Sequence, residues 1–115
     1  MTYTSDIPLK PTIACDLTAI DAKHRDEHIT SGKALFAQVL EVQALPDGYA
    51  LHLPSDNDTF LHTAQFISQE RKCCSFFNFK MEIGSENEPF WLKITGPDGA
   101  KELLQNELGL QIEKT

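Results

Sequence analysis

The sequence predicts an α+β domain: one four-stranded antiparallel sheet with helices packed on one face, in the order α-ββ-α-ββ-α. Three observations carry this. Tyr49-Ala-Leu-His-Leu53 and Phe77-Asn-Phe-Lys-Met-Glu-Ile83 alternate apolar and polar residues with the period of a half-buried strand. Pro46-Asp47-Gly48 separates two such runs as a hairpin turn, because Pro presets φ and Gly accepts positive φ. Between the hairpins, Phe60, Ala64, Ile67 and Arg71 recur at the spacing of one helix face.

The elements follow in order. Residues 1–14 carry Pro8 and Pro11 among polar residues and read as an extended N-terminal arm that delivers Cys15. A first helix is expected from Thr18 as N-cap, with Asp21 at the positive end of its dipole. Ser31-Gly32 is a point where it could end or be interrupted, and the helix is read on to about Gln38. A strand then runs from about Val39 to Leu45 and pairs through the hairpin with Tyr49–Leu53. Ser55 or Asp56 caps a second helix over Asn57–Cys73. Phe77–Ile83 and Phe90–Ile94 form the second hairpin. Thr95-Gly-Pro-Asp-Gly99 leads into a last helix with Asp98 as N-cap and an apolar stripe of Ala100, Leu103, Leu104 and Leu108. Gly109 fits the residue just past its end, with Leu110 and Ile112 folding back. Short connections favour antiparallel pairing throughout.

A chain of 115 residues is one domain, here assigned to 15–115 beyond the arm. Ten Lys and Arg against seventeen Asp and Glu give a formal charge of −7, and no basic run exceeds Arg71-Lys72. Nucleic-acid binding, which needs clustered cations, is therefore not expected. No apolar run approaches the roughly 20 residues of a membrane helix, and the first residues lack a signal peptide's basic and apolar regions. The expectation is a cytoplasmic protein without a membrane partner. In that compartment Cys15, Cys73 and Cys74 are expected as reduced thiols, and an odd count argues against a simple disulfide framework.

The candidate chemistry lies in Glu70-Arg-Lys-Cys73-Cys74-Ser-Phe-Phe77, where a helix gives way to a strand. Neighbouring helical side chains diverge by about 100°. Both thiols can face one ion only if the helix unwinds at Cys74. Thiolates suit Zn(II), Cu(I) and similar soft ions. Cys15 could add a third sulfur if the arm crosses this junction, and Glu70 or a histidine could complete a tetrahedral set. His24 and His28, four residues apart, share a helix face, so His28 is carried as a candidate ligand; a solvated face is the plainer reading of the two. His52 and His62 have no partner suggested by spacing.

A nucleophilic cysteine is disfavoured, because a helix C-terminus and Glu70 oppose thiolate formation, whereas a bound metal deprotonates the thiol outright. No catalytic residue is assigned, and no organic cofactor is implied. Gly96-Pro-Asp-Gly99 lacks the pattern of a phosphate-binding loop.

Glu70-Arg-x-Cys73-Cys74-x-Phe76-Phe77-x-Phe79, followed by Trp91-Leu-x-Ile94-Thr95-Gly96-Pro97-x-Gly99, resembles a family of small uncharacterised bacterial proteins. Its members read ERxCCPFFxF and then WLxLTGPxG. Ala14–Ala19 and Leu45–Tyr49 also look like family segments, so the resemblance covers most of residues 13–108. Ser75 stands where the family carries proline, which loosens the turn after Cys74. Some relatives are associated with mercury-resistance-type regulators. The resemblance implies a soft-metal setting and supplies no catalytic residues.

Two functional expectations result. The leading one is a binding module for a soft metal ion or small thiophilic ligand, with Cys15, Cys73 and Cys74 as ligands and Glu70 or His28 as the fourth. The other is a structural or partner-binding domain, for instance a homodimer, in which the cysteines are core residues and Phe76, Phe90 and Trp91 form an aromatic contact face. A redox or transfer enzyme using one thiol is the third class, and it requires a reactive, low-pKa cysteine.

Overall fold

The computed structural model of the chain describes residues 15–108. A short 3-10 turn, Leu17–Ala19, precedes helix α1 (Ala22–Phe36). Strands β1 (Glu41–Leu45) and β2 (Gly48–Leu53) form a hairpin, helix α2 (Asn57–Cys73) follows, and β3 (Asn78–Ile83) and β4 (Phe90–Thr95) form a second hairpin before helix α3 (Ala100–Leu108). All four strands make one antiparallel sheet in the order β1-β2-β4-β3. This is the α+β architecture that alternation and turn chemistry predict.

The sheet order explains which strands carry the core. β2 and β4 are central, and their register sets Tyr49 opposite Ile94, Leu51 opposite Leu92 and Leu53 opposite Phe90. All six are buried. Leu35 of α1, Phe66 of α2 and Leu104 of α3 close over that face. Removing one such leucine side chain costs about 2–5 kcal/mol, because a close-packed interior does not collapse to fill the space. The opposite face carries polar and amphipathic residues: His52 stacks on Trp91 with ring centroids 5.1 Å apart, and Lys93 pairs with Glu82 at 2.9 Å. Phe90 and Trp91 are adjacent in a strand and so point to opposite faces. Phe90 is buried, and no single face can present Phe76, Phe90 and Trp91 together.

Four local expectations are corrected. The first helix begins at Ala22, not near Thr18, because Asp16 caps the 3-10 turn by accepting from the Thr18 N–H at 3.0 Å, and Ile20 is then extended. The helix continues through Ser31-Gly32, as read, and ends at Phe36 rather than near Gln38. At Gly32 the Phe66 ring of α2 packs close against α1, since a Cβ there would stand 3.1 Å from it. Ser31 meets His62 across the same interface, Oγ to Nε2 at 2.8 Å, so His62 is an interhelical residue rather than a surface one. At α3 the residue before the helix is Gly99, in the left-handed region at φ 94°, which displaces Asp98 from the capping position. Asp56 caps α2 as expected, accepting from the Thr59 N–H at 2.8 Å. The arm of residues 1–14 and the segment with Gly109, Leu110 and Ile112 lie outside the described residues.

Candidate thiol and carboxylate site

The end of α2 builds the site. Cys73 is the last helical residue, and Cys74 leaves the helix at φ −124° and ψ 67°. That break swings the second sulfur back toward the first, so the two Sγ atoms lie 3.6 Å apart. Glu70 sits one turn earlier, on the same face. Its Oε2 lies 3.2 Å from Cys74 Sγ and its Oε1 3.8 Å from Cys73 Sγ. Glu70 and both cysteines are buried.

A buried carboxyl needs hydrogen-bonding partners, because desolvation without them is costly. Helix α1 provides one in His28, whose Nε2 is 2.8 Å from Glu70 Oε1. The imidazole is stacked on Phe66 with centroids 5.3 Å apart and planes 19° apart. The helix face that the sequence reads as solvated is thus split. His28 is 7% exposed and turned inward, while His24 stays outside near Asp21. The signal for His28 was its spacing from Ile20 and Leu35 on the apolar side, which an i, i+4 comparison with His24 alone does not weigh.

The N-terminal segment reaches the same place. The Asp16 N–H donates to the Cys73 carbonyl at 2.7 Å, which sets Cys15 against the helix end. Asp16 itself is held by Thr18, whose side-chain and backbone donors keep its carboxyl below the usual aspartate range. Cys15 and Cys74 form a disulfide, with Cα atoms 4.5 Å apart. This corrects the expectation of three reduced thiols. An odd cysteine count excludes a framework in which every cysteine is paired, but not one bond with Cys73 outside it. In the disulfide Cys74 has no S–H, so its approach to Glu70 is a contact rather than a hydrogen bond.

All five residues singled out in the sequence, Cys15, Glu70, His28, Cys73 and Cys74, therefore meet in one cluster. Two overlapping sets of donor atoms, Cys15/Glu70/Cys74 and His28/Glu70/Cys73, each lie within 4.8 Å of one another. Beside the cluster is a cavity of about 510 Å³, lined by His28, Glu70, Cys73 and Cys74 of the cluster together with apolar residues that include Ile29 and Phe36. No helix among the described residues is long and apolar enough to cross a membrane. Comparisons with models of protein families, with curated proteins and with solved structures found no match.

Proposed function

We propose that the protein binds a soft metal ion at this cluster when the Cys15–Cys74 bond is reduced, with Zn(II) and Cu(I) as the ions to test. The ligands in this reading are Cys15, Cys73 and Cys74, with Glu70 as the fourth. One observation carries it. Five donors from three separate segments converge on a buried point, although only three of them are neighbours in sequence.

The spacing supports the ligand choice. With zinc–sulfur bonds near 2.3 Å, the sulfurs of a tetrahedral site stand about 3.8 Å apart, and a sulfur and a carboxylate oxygen about 3.6 Å apart. Cys73 and Cys74 are at 3.6 Å, and each lies near one carboxylate oxygen of Glu70, Cys73 3.8 Å from Oε1 and Cys74 3.2 Å from Oε2, so a small rotation of the carboxylate would serve one ion. His28 is only 2.8 Å from Glu70, a hydrogen-bond distance rather than the roughly 3.4 Å edge between two zinc ligands. His28 therefore orients Glu70, as partners of ligating carboxylates do. The resemblance of the Glu70–Phe79 segment to the small bacterial family agrees with a soft-metal role.

The test is a titration of TCEP-reduced protein with Zn(II) and Cu(I), read as bound metal by native mass spectrometry. The expected result is one ion per chain, lost in the Cys73→Ser/Cys74→Ser double variant. Absence of binding by a folded, fully reduced protein would overturn the reading and return the cysteines to the core of a structural or partner-binding domain.

A further inference from the structure

We infer that the Cys15–Cys74 disulfide is an exchange centre for a low-molecular-weight thiol, which enters the cavity between α1 and α2 and attacks Cys74 Sγ. This activity goes beyond metal binding and does not depend on it.

Three features carry the inference. The first is access. Cys74 is among the residues that line the cavity of about 510 Å³, so a thiol bound there lies on the Cys74 side of the bond, opposite the partly exposed Cys15. That volume lies within the roughly 300–1,000 Å³ of small-molecule sites. The second is the leaving group. Cys15 stands on an irregular segment ahead of the 3-10 turn and is partly exposed, while Cys74 is fixed at the helix end and 1% exposed. Thiol–disulfide exchange needs the departing sulfur to withdraw, and Cys15 is the one placed to do so. The third is the thiol of Cys73, 3.6 Å from Cys74 Sγ. A bond that served only as a cross-link would gain nothing from a third sulfur within reach, because any opening exposes it to rearrangement.

The chemistry balances without a further reagent. The entering thiol loses its proton to water and attacks Cys74 Sγ. The Cys74–Cys15 bond breaks as the mixed disulfide forms, and Cys15 leaves as a thiolate that takes a proton from water. A second thiol then attacks the sulfur of the bound molecule and releases Cys74 as a thiol. In sum, one protein disulfide and two small thiols give two protein thiols and one small disulfide. Reversed, the sequence oxidises the protein.

The test uses glutathione and its disulfide as probes, with the full chain kept metal-free by chelator. The protein is equilibrated over a range of reduced-to-oxidised ratios, acid-quenched, alkylated and mapped by peptide mass. The expected result is a reversible two-electron transition confined to Cys15 and Cys74. In Cys15→Ser, glutathione should be trapped on Cys74. Because that variant loses a cross-link, its fold is checked by circular dichroism, and a second variant leaves every sulfur in place. Ile29→Trp fills the cavity from a position already 39% exposed. It should slow exchange at least tenfold while the oxidised protein stays folded. A bond that remains closed in folded protein at the most reducing ratio overturns the inference. So does glutathione trapped on Cys73, or an unchanged rate in Ile29→Trp. A bond that stays closed to glutathione is distinguished from a failed metal site by the titration of TCEP-reduced protein, and failure to bind metal leaves exchange untouched.

Discussion

Cutting the link between Cys15 and Cys74 tests how much the N-terminal segment depends on it. The bond joins residues 59 apart in sequence. In the chain-entropy relation, a closed loop of that size removes enough freedom from the unfolded chain to stabilise the fold by about 4 kcal/mol at 25 °C. Domains of this size are stable by about 5–15 kcal/mol in all, so the bond supplies a large share. The native contacts that remain include the Asp16–Cys73 backbone hydrogen bond, the burial of Ile20 and the Arg25 side chain donating to the Leu17 and Ile20 carbonyls, which keep the segment docked when the bond opens. Urea unfolding of oxidised wild type, TCEP-reduced wild type and Cys15→Ser separates the effects. The two uncross-linked proteins should coincide, each about 4 kcal/mol below the oxidised one. Their slopes should be steeper, because an uncross-linked unfolded chain exposes more surface. Stabilities within 1 kcal/mol of the oxidised protein would refute the reasoning, and so would a Cys15→Ser loss that reduced wild type does not share.

Further predictions concern the residues that build the site. His28→Ala should cost about 1–3 kcal/mol for the lost hydrogen bond to buried Glu70, with a further contribution from the lost stacking on Phe66, and His28→Gln should recover part of it in thermal unfolding. Asp56→Ala removes the α2 cap and should lower stability by about 0.5–2 kcal/mol without moving the cysteine cluster, which lies at the other end of that helix. The Asp16 carboxyl, lowered by its Thr18 hydrogen bonds, contributes stability that is present above its unfolded pKa and lost as pH falls through the lower folded value. Its side-chain carbon resonance should titrate below the ordinary aspartate range in wild type, and return toward it in Thr18→Val, where the side-chain hydroxyl is gone.

What the sequence made legible follows physical range. α2 was legible from Asn57 to Cys73, because its period, its Asp56 cap and the helix break at Cys74 are all local. The strand pairs were legible because alternation plus a Pro-Asp-Gly turn fixes both register and face. The α1 boundary was not, because two capping residues compete within six positions and Asp16 wins by also donating its backbone N–H to Cys73, a contact 57 residues away. Gly32 read as a point of possible interruption because glycine weakens helices on average; the Phe66 ring that favours a small residue there is 34 positions along. The cluster's membership was legible by residue type. Its oxidation state was not, since that depends on two sulfurs meeting across the fold.

The disulfide and the proposed metal site use the same sulfurs, and this gives the reduced protein a particular weakness. Oxidised, Cys15 is tied to the α2 end by a covalent bond. Reduced and metal-bound, it would be tied there by the ion. Reduced and metal-free, it is held by non-covalent contacts, among them the Asp16–Cys73 hydrogen bond, the burial of Ile20 and the Arg25 side chain on the Leu17 and Ile20 carbonyls. An ion that binds the folded state alone at one hundred times its dissociation constant adds about 2.7 kcal/mol, recovering most of the lost cross-link. For a domain of this size that corresponds to roughly 10 °C in Tm. Zn(II) should therefore raise the Tm of reduced wild type by that order and that of Cys15→Ser by distinctly less. The oxidised protein retains only His28, Glu70 and Cys73 as a donor set and should respond least. A Zn(II) shift as large in oxidised as in reduced wild type would mean that the ion does not use the sulfurs of Cys15 and Cys74, and would remove the three-sulfur site.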